Sequence, residues 1–272
     1  MWKLSTSLIA ATLIAGAAEF SLENFVKKTL VKNPRIKVEK VTPIAEMPLE
    51  GRPDWKVYMF TMDLAIGKRK EKVPEMVFVQ EKDQVATLSL VDLKSGEDLR
   101  SRIKPPMSKE YYDPKHLVAG NPDAPNKLVV FTDPQCPFCM DYLPGLIKDV
   151  KANPDKLALY YYHLPLVRLH PVSDTLTKVM EHLQSEGKTD EALKMYQLKI
   201  NPRLRDEKKI LSEVKKQLGI EVTSEQINRP EIKKALAHDK DMATGMMVRG
   251  TPTVYFNGKY DPSRSAYKKA IK

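Results

Sequence analysis

The chain has 272 residues, 42% of them hydrophobic and 29% charged, with a formal net charge of +10 and only two cysteines. That is enough apolar sequence for one sizeable core and a smaller second one, and too few cysteines for a disulfide-stapled scaffold. The lysines are scattered and aromatic residues make up only 7%, so no nucleic-acid partner is expected despite the basic balance.

Residues 1–18 read as a secretory signal peptide: Lys3 carries the charge, residues 8–14 are apolar, and Ala15-Gly16-Ala17-Ala18 offers cleavage after Ala17 or Ala18. The apolar stretch falls short of the roughly 20 residues a membrane-spanning helix needs. Export to the periplasm is therefore expected, where disulfides form and persist. An amphipathic helix follows over residues 21–32, with Ser21 as its cap and Leu22, Phe25, Val26 and Leu30 at helical spacing. Residues 36–41, 56–62, 76–80 and 85–93 are rich in Val, Ile, Phe and Tyr and read as strands of a small α+β domain over residues 19–104. The basic run at residues 68–72 is expected in a solvated hairpin loop.

Lys104-Pro105-Pro106 breaks the composition and opens a linker over residues 105–116 with a short helix ending before Pro114. From residue 117 to 272 strands and helices alternate. Residues 127–132 and 157–163 read as strands, and residues 136–152 as a helix with a possible kink at Pro144. Residues 171–247 read mainly as helices, on patterns such as Leu176, Val179, Met180 and Leu183. A strand over residues 253–257 turns at Asn257-Gly258, a hairpin signal, and residues 263–272 close as a basic helix.

Cys136-Pro137-Phe138-Cys139 carries the chemistry. Zinc needs about four ligands, yet no second cysteine pair exists, and His116, His163, His170, His182 and His238 form no close pair with ligand spacing. A structural disulfide would close a loop of about four residues and stabilise little. A redox-active dithiol on the turn from a strand into a helix is the reading that remains. Cys136 at the helix start would face unpaired N–H groups that favour its thiolate, while keeping exposure enough to react. Cys139, one turn later, would be more buried. Pro137 stiffens the first turn without losing a hydrogen bond, and Phe138 would lie exposed as an apolar contact for substrate, with a core position as the alternative. In Gly250-Thr251-Pro252-Thr253 a proline opens a strand; a trans turn proline is the ordinary reading of so short a stretch, and X–Pro is the one common setting for a cis bond. Asp133 and Asp141 flank the motif and are expected in helix-cap or surface roles, and His163 and His170 in structural ones.

Four stretches in this order resemble the thioredoxin-fold Dsb disulfide oxidoreductases of the bacterial cell envelope: residues 120–125, 128–139, 162–171 and 250–258. The resemblance implies a thioredoxin-fold catalytic domain over residues 117–272, interrupted by a helical insertion at about 171–247. It implies that Cys136 attacks, that Cys139 resolves, and that Thr251–Pro252 is a cis bond packed against the disulfide. It further implies that the Thr251 backbone pairs with an extended substrate. The preceding small domain is similar in layout to that of the DsbC and DsbG branch, in which it dimerises, and Thr before the proline also resembles that branch. CPFC departs from the Gly-Tyr dipeptide usual in DsbC and shares its Pro with the Pro-His of DsbA, and Pro134 stands where many DsbA-like members carry an aromatic residue. The expected protein is thus a homodimeric disulfide isomerase acting on unfolded or misoxidised exported proteins and served by a membrane redox partner, without metal or organic cofactor. A dimeric DsbA-like oxidase, or a chaperone with an incidental dithiol, are the alternatives.

Overall fold

The computed structural model describes residues 20–272, and the leader expected over residues 1–18 lies outside them. Helix α1 (Leu22–Phe25) is capped as expected, the Ser21 hydroxyl accepting the Asn24 N–H at 3.4 Å. It does not continue as α-helix to residue 32; the chain widens into a π turn over Val26–Leu30. Val26, Leu22 and Phe25 cover one face of a sheet.

That sheet is an antiparallel meander of β1 (Ile36–Leu49), β2 (Arg52–Ile66), β3 (Arg69–Gln80) and β4 (Val85–Thr87). Alternation along β2 sends Val57 and Met59 to one core and Phe60, Met62 and Leu64 to the other. The first three strands outrun the apolar stretches that announced them, because backbone pairing continues where side chains turn polar. Arg69, Lys70 and Lys72 pair with Ile66, Ala65 and Asp63. The basic run is therefore mostly strand, and only Gly67 and Lys68 make the turn. The strand expected over residues 85–93 instead stops at Thr87, where turn chemistry takes over: the Asp92 carboxylate accepts the Lys94 and Ser95 N–H groups at 2.9 and 3.0 Å.

Residues 105–116 contain two short 3-10 turns, Lys109–Tyr112 and Pro114–His116, and are docked on the second sheet. Tyr111 is buried against Phe131 and Tyr162 and donates its hydroxyl proton to the Met242 carbonyl at 3.0 Å.

The second sheet contains β5 (Leu117–Gly120), β6 (Asn126–Thr132), β7 (Leu157–His163), β8 (Thr253–Phe256) and β9 (Lys259–Tyr260) in the order β5-β7-β6-β8-β9. β6 and β7 are parallel and joined through helix α2 (Pro137–Ala152); the other pairs are antiparallel. Strand β5 was not foreseen. It ends on Gly120 at φ +82, where an added Cβ would lie 2.0 Å from the Leu157 carbonyl oxygen. Between β7 and β8 come α3 (Ser173–Ser185), α4 (Thr189–Leu193), α5 (Glu207–Leu218), α6 (Ser224–Ile227) and α7 (Pro230–Gly245). Their buried stripes, Leu176, Val179, Met180 and Leu183 on α3 and Ile210 and Val214 on α5, join the core that holds both cysteines. Asn257 and Gly258 turn the β8–β9 hairpin at φ 49 and 77, as their sequence announces. The carboxyl-terminal helix is shorter than expected, α8 (Lys268–Ile271). Asp261 captures the N–H groups of Ser263 and Ala266 at 3.0 and 2.8 Å and holds that stretch in a turn.

A residue from the segment before β8 enters the first sheet's core. Met247, buried at φ +52, sits among Val57, Met59, Met76 and Phe78 of the first sheet. Lys104 donates to its carbonyl at 3.2 Å, and Arg249 reaches the Pro74 carbonyl at 3.3 Å.

Candidate functional site

Strand β6 ends at Thr132 and delivers the chain, through Asp133-Pro134-Gln135, to the start of α2. Cys136 is the N-cap of that helix, with extended backbone (φ −71, ψ 122), and its carbonyl accepts the N–H groups of Cys139 and Met140, each at 2.9 Å. Pro137 occupies the first helical turn, where no N–H is missed. Phe138 is 68% exposed, which excludes the core alternative, whereas Cys136 is only 4% exposed and Cys139 fully buried. Cys136 is thus more enclosed than a freely accessible thiol, and the expectation that it keeps ready exposure needs correcting: the cis-proline loop covers it.

The Thr251–Pro252 bond is cis. It brings the Thr251 carbonyl to 3.3 Å from Cys136 Sγ, which donates to it as a thiol. Thr251 Oγ1 is buried and meets no other hydrogen-bond partner that would compete with the Cys136 thiolate. Donation from the Cys139 thiol is the largest influence holding the Cys136 pKa down, from 9.0 to about 5; the Thr251 side chain and the Cys139 and Phe138 N–H groups add to it, and burial opposes it. The helix start contributes as anticipated, but the partner thiol contributes more. Cys139 is driven the other way by burial and by its bond to Cys136, so it keeps its proton.

Asp133 is neither a helix cap nor a surface residue. Its buried carboxylate receives the Gln135 N–H at 2.8 Å, the Ser173 hydroxyl at 2.6 Å, the Leu166 N–H at 2.7 Å and His170 Nδ1 at 3.1 Å. It therefore ties the turn before Cys136 to the start of the helical insertion. Asp141 is exposed on α2, as expected. His163 bonds Gln184 Oε1 at 2.8 Å and, through its backbone N–H, Asp239 Oδ2 at 2.8 Å; neither histidine's hydrogen bonds reach the thiols. Behind Cys139 runs a buried hydroxyl chain: the Thr132 side chain bonds Cys139 and lies 2.8 Å from Tyr196 OH, which lies 2.7 Å from Tyr161 OH. No local pattern announces Tyr196, because it comes from the helical insertion. Among the described residues no three His, Cys, Asp or Glu side chains are placed to hold a metal ion.

The site offers one activated thiol, a second kept protonated behind it, and a covered backbone carbonyl beside an exposed aromatic ring. Comparison with known proteins agrees in kind. The thioredoxin family model matches residues 113–272. A probable disulfide bond formation protein D from Bacillus cereus is 30% identical over 165 residues, covering 56% of this chain and 75% of that protein. The protein of the same name from Bacillus anthracis is 29% identical over the same coverage. Among solved structures, a thioredoxin-like oxidoreductase from Silicibacter pomeroyi DSS-3 superposes with a TM-score of 0.50 at 22% identity, covering 61% of this chain and 96% of that one. That likeness establishes the fold, a thioredoxin fold carrying a helical insertion.

Proposed function

The chain belongs to the thioredoxin family, among its Dsb-type thiol:disulfide oxidoreductases, and from that premise we propose that it is an exported disulfide isomerase exchanging disulfides with folding polypeptides through Cys136 and Cys139. The observation that carries the reading is the cis Thr251–Pro252 bond set against Cys136, with the Thr251 carbonyl 3.3 Å from its sulfur, behind a separate small amino-terminal sheet; the lowered Cys136 pKa, about 5, supports thiol exchange in either direction.

The Cys136 thiolate attacks one sulfur of a client disulfide, forming a Cys136–client bond and releasing the other client sulfur as a thiolate. If a different client thiolate then displaces Cys136, the client leaves rearranged and Cys136 is regenerated. If Cys139 gives up its proton and attacks Cys136 Sγ, the client leaves fully reduced at that pair and the chain retains a Cys136–Cys139 disulfide, which a membrane reductase must undo. The reverse sequence oxidises a client dithiol and calls for a membrane oxidase. A homodimer through residues 19–104 fits the isomerase reading, and strand β1 at the edge of the first sheet is the face we assign to it.

A second reading, the oxidase, draws on the depressed Cys136 pKa, which stabilises the reduced state and makes the disulfide a stronger oxidant. The name of the Bacillus relatives points the same way for those proteins. Reactivation of a scrambled-disulfide substrate, run beside oxidation of the same substrate fully reduced, separates the two. Recovery of the scrambled form by reduced protein, lost in Cys136→Ala, is the expected result. Activity confined to pre-oxidised protein on reduced substrate, or a monomer in sedimentation, overturns the isomerase reading. If Cys136→Ala still protects a cysteine-free client from aggregation, a chaperone activity is present as well.

A further inference from the structure

The recess where the two sheets meet is basic. It encloses about 390 Å³ between Arg100, Lys104, Met247 and Arg249, with Asp98 on its wall. Its three cations are unequally paired. Arg100 is bound to Glu75, and Arg249 reaches the same carboxylate at 3.4 Å. Asp98 accepts the backbone N–H of Arg100 at 3.0 Å and the Ser89 hydroxyl at 2.9 Å. Lys104 is left without a carboxylate among the described residues: it donates to the Met247 carbonyl at 3.2 Å and lies 5.5 Å above the Tyr260 ring. Burial, and then the charge of Arg249, hold its pKa below the ordinary lysine value, the mark of a cation short of a counter-charge.

This recess adjoins the thiol surface. A second hollow of about 290 Å³ is lined by Phe138, Thr251, Pro252 and Tyr260, with Asp261 and Arg264 as its charged members. Lys104 links the two: it lines the recess and lies over the ring of Tyr260, which lines this hollow together with Phe138 and Thr251. Arg249 stands two residues before Thr251, so their Cα atoms are within about 7 Å of each other. Should a client cysteine dock on Thr251, the residues flanking it would lie on the side of Arg249 and Lys104.

We propose that the junction recess takes a carboxylate of the client, an Asp or Glu close in sequence to the cysteine being exchanged, and so gives the chain a preference for acidic client segments. The inference rests on the reading of Thr251 as the client-docking strand start. It gives the first sheet a part in recognition, since Arg100 and Lys104 both come from the amino-terminal side of the junction.

Two fluorescent peptides differing only in Glu against Gln beside a central Ser, standing for the client cysteine, test it by anisotropy with the full chain. Both peptides are assayed again, with Cys restored and disulfide-bonded, for exchange. The Glu peptide is expected to bind about two- to fivefold more tightly at low salt, the range for partly exposed charge pairs. That ratio should fall towards one at high salt and in both Lys104→Met and Arg249→Gln. Equal binding at low salt overturns the inference, and so does a preference that survives both substitutions. The salt series needs no variant and remains decisive if one fails to fold. Preferential binding of the Glu peptide without any exchange would uphold the recess and refute the proposed activity, whereas exchange without preference would do the opposite.

Discussion

Cys136 and Cys139 are the same side chain held in opposite states, and the difference comes from one turn of helix. Cys136 collects donors that outweigh its burial, while at Cys139 burial and the duty of donating to its neighbour outweigh the bonds from Asp133, Thr132 and Thr251. Cys139→Ala removes the largest of those donors, so the Cys136 pKa should climb from about 5 towards its ordinary 9.0, read from thiolate ultraviolet absorbance against pH. An unchanged titration would shift the credit to the backbone N–H groups and Thr251. The same group makes the reduced protein's stability pH-dependent. Because folding lowers its pKa, its contribution is fully present above the unfolded value of 9.0 and is lost as pH falls through about 5. Cys139, whose pKa is raised, works against stability only above 9.0. The gap in Tm between reduced and oxidised protein should therefore move in favour of the reduced form as pH rises from 5 to 9, other groups being common to both. Parallel thermal scans giving a flat gap would contradict it.

At the scale of elements, Gly120 is the tightest point of the second sheet. It combines φ +82 with a 2.0 Å approach to the Leu157 carbonyl, so Gly120→Ala should cost about 2 kcal/mol or more in urea unfolding by forcing β5 off β7. A change below about 0.5 kcal/mol, the usual size for neutral surface substitutions, would mean that the strand shifts freely. Nothing local marked β5, a strand of four residues defined by that approach. Strand β7 was legible to the residue, because it is buried along its whole length and reads as one unbroken run. The ends of β1, β2 and β3 were not, since ladder pairing persists where hydrophobic content fades. The same division runs through the site. The two thiols sit in a short motif that declares itself, whereas the local stretch at Thr251-Pro252 favours a trans turn and only the family resemblance implies the cis bond that is found. Asp133 is unreadable as a clamp because His170 and Ser173, its partners, lie 37 and 40 residues away, and Lys104 meets Met247 across 143.

The first sheet meets the rest of the molecule through Met247, Lys104 and Arg249, and through Lys72, which pairs with Asp241 of α7 at 3.4 Å. The Met247 side chain fills a place in the first sheet's core while its backbone leads within four residues to Thr251. Met247→Ala should therefore cost about 2–5 kcal/mol by leaving a cavity, and the loss should appear in the unfolding of the amino-terminal sheet, followed by Trp55 fluorescence. A loss confined to the second sheet would mean that the methionine is a passenger in that core. Strand β1, meanwhile, presents an edge interrupted by Pro43 and Pro48, whose missing donors limit strand addition there, and by a register shift between Val38 and Lys40. The borrowed methionine also bears on how such proteins are put together. A head of this kind transplanted onto another oxidoreductase would arrive with a hole in its interior unless the host supplied a long apolar side chain at the place of Met247. The two halves are thus bound to be inherited, or engineered, as a matched pair.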